Sequence, residues 1–64
     1  MVIDLYTYDV ESNAIRLGWF DCQNIIPNIG DTIFVEENIF EVMAREIDYR
    51  ESDIEIRLFV EDKP

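Results

Sequence analysis

The chain is 64 residues long, 48% hydrophobic, and carries 15 Asp and Glu against 5 Lys and Arg, for a formal net charge of -10. So acidic a surface repels nucleic-acid phosphates and anionic membranes, and no apolar run approaches the ~20 residues of a membrane span. One domain is expected, near the lower size limit for a self-supporting core, where folding buries only about 60% of the unfolded surface. The apolar content is enough to fold despite the charge.

Residues Val2 to Val10 are rich in β-branched and aromatic types and predict a strand. Glu11-Ser12-Asn13 marks a turn, and Ala14 to Phe20 predicts the returning strand, with Ile15, Leu17 and Trp19 on one face. Gly18 inside that strand points to a kink or a close backbone neighbour. Asp21 to Ile29 is the longest connection. Pro27 forbids a central strand through it, and a short helical turn is expected at Cys22 to Ile26. Gly30 then provides a backbone angle most residues avoid, at a corner leading into a third strand.

Thr32 to Glu36 and Ile39 to Tyr49 predict two strands joined through Glu37-Asn38, asparagine being tolerant of a left-handed turn. Phe40 and Val42 set one phase of the second of these strands and Ile47 and Tyr49 the other. An extra residue near Met43 to Arg45 restores a single apolar face and bends the strand. The last strand, Asp53 to Glu61, alternates Ile54, Ile56, Leu58 and Val60 with Glu55, Arg57, Phe59 and Glu61, so one face is aliphatic and the other mostly charged. The expected fold is all-β: a small five-stranded antiparallel barrel or roll, made of a hairpin over 2–20 and a three-stranded meander over 31–61.

The run Ile26-Pro27-Asn28-Ile29-Gly30-Asp31-Thr32-Ile33, followed by Phe40-Glu41-Val42 and the alternating last strand, resembles short uncharacterised bacterial and phage proteins that form small β-barrels or rolls of SH3-like type. The resemblance covers roughly the second half of the chain. It implies a fold class and no activity.

Chemistry is sparse. There is no histidine, which removes the commonest general base and metal ligand. Cys22 is the only cysteine, so it forms no internal disulfide, and Asp21 and Asp31 give it no positive field to activate it. Carboxylate pairs such as Glu36 with Glu37 are too numerous to single one out. Asp48 to Glu55 has oxygen ligands but lacks the glycine and spaced carboxylates of a calcium loop, and reads as a solvated turn. No catalytic residue, cofactor or metal is expected, and the chain reads as non-enzymatic. Met1-Val2-Ile3-Asp4 does not have the form of a signal peptide, so a cytoplasmic location is expected.

Five aromatics fall on phases that a barrel interior cannot accommodate: Tyr6, Tyr8, Phe20, Phe34 and Phe59. Rimmed by carboxylates, they are the candidate surface for a protein partner or a homo-oligomer. The alternative is a phage-type inhibitor whose carboxylates imitate nucleic-acid phosphates in a basic groove. That reading needs the acids in one ribbon, whereas Arg16, Arg45, Arg50, Arg57 and Lys63 are dispersed among them.

Overall fold

In the computed structural model, which describes residues Met1–Pro64, the chain forms five strands and no helix, and hence none long and apolar enough to cross a membrane. They are β1 (Val2–Tyr8), β2 (Ala14–Asp21), β3 (Thr32–Val35), β4 (Asn38–Asp48) and β5 (Glu55–Asp62). The hairpin and the meander both form as the sequence predicts. They combine into one sheet of order β2-β1-β5-β4-β3 that curls into a half-barrel.

The expected all-antiparallel barrel is corrected at its centre. β1 and β5 run parallel, Ile3 beside Ile56 and Leu5 beside Leu58, so the sheet is mixed. These four side chains, with Phe40, Val42 and Val60, are the buried cluster on the concave face. Two parallel aliphatic strands at the middle of a sheet bury their common row most completely, which is why the last strand joins the first rather than standing at an edge. Ile54 lies outside β5 and is exposed, so the predicted row of four inward aliphatics contains three.

Both predicted irregularities in the strands are present. Val42 pairs with Val60 but Ala44 with Phe59, leaving Met43 as the bulge residue, after which Ile47 returns to the inner face opposite Ile56. In the first hairpin, Leu5 pairs with Gly18 and Tyr6 with Arg16, so Leu17 is the extra residue beside the glycine.

From the connection over 22–31, Cys22 and Ile26 pack against the core. This connection holds no helical turn. The Ile25 amide donates to the Cys22 carbonyl at 3.3 Å in a single turn, and a second turn follows where the Asp31 amide donates to the Asn28 carbonyl at 3.0 Å. Gly30 takes the expected left-handed conformation, with φ of 93°. Its amide donates to the Val42 carbonyl at 2.8 Å, and the Val42 amide donates to Asp31, so the corner is tied to β4 before β3 begins. Arg45, on the inner phase of β4 opposite Leu58, reaches this loop and donates to Asn28 Oδ1 at 2.8 Å.

Candidate functional site

Curling brings the two outermost strands, β2 and β3, towards each other without pairing them. Between them is a cleft of about 340 Å3. One wall is the bulged part of β2, Leu17 to Trp19; the other is Val35 to Asn38, where β3 turns into β4. Its floor is the core, reached at Leu5, Phe40 and Val60. A shallower recess continues outward along the same walls to Phe20, Asp21 and Phe34. The fold therefore has an open seam, where a closed barrel would have two strands hydrogen-bonded.

Each wall follows from its local sequence. On β2 the extra residue at Leu17 breaks the alternation that would place Ile15, Leu17 and Trp19 on one buried face. Trp19 stands opposite Asp4 and is 60% exposed, while Phe20 stands opposite Ile3. Residues directly opposite on paired strands share a face, so Phe20 belongs to the inner side and packs against the core. Ile15 and Leu17 are left exposed at the edge. On the facing wall, Val35 pairs with Asn38 and leaves Glu36-Glu37 as a two-residue loop. Its left-handed residue is Glu36, at φ of 56°, in place of the asparagine expected there.

The five candidate aromatics divide accordingly. Phe34 is the one that stands furthest out, 74% exposed beside the seam. Phe20 is drawn to the core, as above. Phe59 is on the outer face of β5 as its phase requires, yet only 7% exposed. Tyr6 and Tyr8 cover it, their rings stacked on it with centroids 5.6 Å and 5.1 Å away. These three make a small cluster on the convex side in place of an open aromatic patch, with Tyr8 exposed and Tyr6 half-buried. Leu17 and Trp19, expected inside, belong to the exposed surface instead; the glycine beside them was the signal that the alternation of β2 is interrupted.

The charges are arranged unevenly. On the convex face, Arg57 donates to Glu46 Oε1 at 3.0 Å, Glu55 Oε2 at 2.9 Å and Asp48 Oδ2 at 3.2 Å. Asp48 also accepts the Arg50 amide at 3.0 Å and the Arg50 guanidinium at 2.7 Å. Hydrogen bonds from Arg50, then from Arg57, hold the Asp48 carboxyl far below the usual aspartate range. Arg16 is held by Asp4 at 2.7 Å and Lys63 by Thr32 Oγ1 at 2.7 Å. With Arg45 on Asn28, all five basic side chains are engaged, and none of them lines the seam. The ionisable side chains that do are Asp21, Glu36 and Asp62. No group of three or more Cys, Asp or Glu side chains is placed to hold a metal ion.

Fold and seam together define a curled, mixed five-stranded half-barrel with two free edges bordering one apolar cleft. Comparison with protein-family models, with curated proteins and with solved structures finds no match to this chain.

Proposed function

We propose that this chain is a small acidic, non-enzymatic protein-interaction module that engages a protein partner through the seam between β2 and β3. The observation that carries this is the position of Trp19, Leu17 and Phe34. All three are large, apolar and exposed; Leu17 and Trp19 border the cleft whose floor is the core, and Phe34 borders the recess that continues from it. An apolar patch bordered by carboxylates and carrying exposed aromatics has the make-up of a binding surface. Unpaired edges of β2 and β3 add backbone donors and acceptors that a partner can satisfy.

Imitation of nucleic acid has less support. On the convex face Arg57 stands among Glu46, Asp48 and Glu55, so the carboxylates there do not form a row of uncompensated charge.

The test is capture by the immobilised chain from cell lysate, comparing wild type with Trp19→Asp and Phe34→Asp, each checked by circular dichroism and thermal melting to be folded. The expected result is a protein held by the wild type and lost with either substitution. Retention that is indifferent to both substitutions, or no retained protein at all, overturns the proposal.

A further inference from the structure

We infer that the occupant of the seam is an extended segment of a partner protein, added as a strand and alternating apolar side chains with lysine or arginine. This rests on the seam being the interaction site. Three features specify the occupant. First, β2 and β3 pair on one side only, to β1 and β4, so alternate residues of each direct their amides and carbonyls into the gap. A segment in extended conformation satisfies such groups, as a helix or a loop does not.

Second, side chains of a strand alternate between faces. The inward phase of a strand lying in the seam meets Leu5, Phe40 and Val60, which demands apolar residues there. Third, the ionisable groups bordering the seam are the carboxylates Asp21, Glu36 and Asp62; the N-terminal ammonium donates to Asp21 at 2.9 Å, and the four arginines and the one lysine have their hydrogen-bond partners away from Glu36 and Asp62. No cation of the chain is paired with Glu36 or Asp62, so charge complementarity assigns the cations that meet these two to the partner.

The same charges disfavour a second copy as the occupant. Two copies bring ten net negative charges each, and each presents the same acidic seam. A stable dimer also needs about 800 Å2 buried on each side, roughly a sixth of the 4893 Å2 that the whole chain exposes. The seam, bordered by strand edges of eight and four residues, has the shape of a slot for one extended segment.

Trp19 is the only tryptophan and stands on the wall of the seam, so its fluorescence reports occupancy directly. The probe is a blocked eight-residue peptide alternating valine and lysine. It is compared with its valine-glutamate counterpart and with a valine-lysine peptide methylated at alternate backbone nitrogens. The expected result is a saturable blue shift of Trp19 emission with the lysine peptide alone, the apparent Kd weakening about tenfold or more between low and high salt.

Equal binding of the glutamate peptide removes the charge assignment, and equal binding of the methylated peptide removes strand addition. Absence of any shift removes both, as does a concentration-dependent dimer, seen by sedimentation, that itself buries Trp19. Should a lysate protein be held through the seam while all three peptides are ignored, this inference falls and the interaction role stands. If capture fails as well, both fall.

Discussion

Leu5 of β1 lies beside Leu58 of β5 in parallel register, and that pairing joins an antiparallel hairpin and an antiparallel meander into one sheet. It also decides where the edges are. With β1 and β5 at the centre, β2 and β3 are left outermost and face each other across the seam. The interior row therefore governs both stability and the presence of a site.

Leu58 and Ile56 are almost completely buried in a core of only seven side chains. Replacing either with alanine is expected to cost about 2–5 kcal/mol. Domains of this size have roughly 3–10 kcal/mol in total. Chemical denaturation should place both variants at or beyond the edge of stable folding, whereas Ile54→Ala, at an exposed position, should stay within about 0.5 kcal/mol of wild type.

Asp48 provides a pH signature. Its carboxyl is 11% exposed and titrates well below its ordinary value of 3.8 because Arg50 and Arg57 hold the anion. The folded state thus binds this proton less readily than the unfolded state. The stabilisation is complete above the unfolded value and is lost as pH falls from about 4 towards the folded value. Asp9, held by the Asn13 amide, and Asp21, held by the Gln23 amide, act in the same direction. Melting temperature measured from pH 5 down to pH 2 should fall in the wild type; Asp48→Asn should melt lower at pH 7 and show a shallower acid slope.

The charge imbalance has a local expression in Glu41 and Glu61, which are directly opposite on β4 and β5. Like charges so placed are destabilising. Glu61→Lys should raise Tm by about 2–4 °C, the consequence of roughly 0.5 kcal/mol in a domain this small. Wild-type Tm should likewise rise as salt increases from about 0.01 M to 1 M, over which the screening length falls from roughly 30 to 3 Å. Glu61→Lys should show the smaller rise of the two.

Glu36 combines strain with position. A non-glycine residue at a left-handed φ costs on the order of 1 kcal/mol or more, and Glu36 holds this conformation at 56° while lining the seam. Asparagine accepts that conformation more readily. Thermal melting of Glu36→Asn should show a Tm higher by a few degrees, and fluorescence titration should show weaker uptake of the valine-lysine peptide. A stabler chain with undiminished uptake would separate Glu36 from the seam's charge.

Much of the fold is legible in the residues themselves. Composition marks the first strand and period-two alternation the later ones, the clash of phases between Val42 and Ile47 calls for an extra residue within Met43 to Arg45, where Met43 supplies it, and Gly30 marks the corner. The parallel pairing of β1 with β5 is not legible, because it joins residues more than fifty positions apart and alternation is indifferent to strand direction. Alternation also assigns Phe59 to the outer face without revealing that Tyr6 and Tyr8 roof it over. On β2 the slip at Leu17 exchanges the roles of Trp19 and Phe20, and with them half of the candidate surface.

Amide hydrogen exchange, followed residue by residue by NMR on the full chain, tests the open seam most directly. Slowest exchange is expected in β1 and β5, and fast exchange at those β2 and β3 amides that are not bonded to β1 or β4. Protection of those outward amides to the level of Ile56 to Val60 would mean that β2 and β3 are paired in a closed barrel, with no seam for a partner to enter.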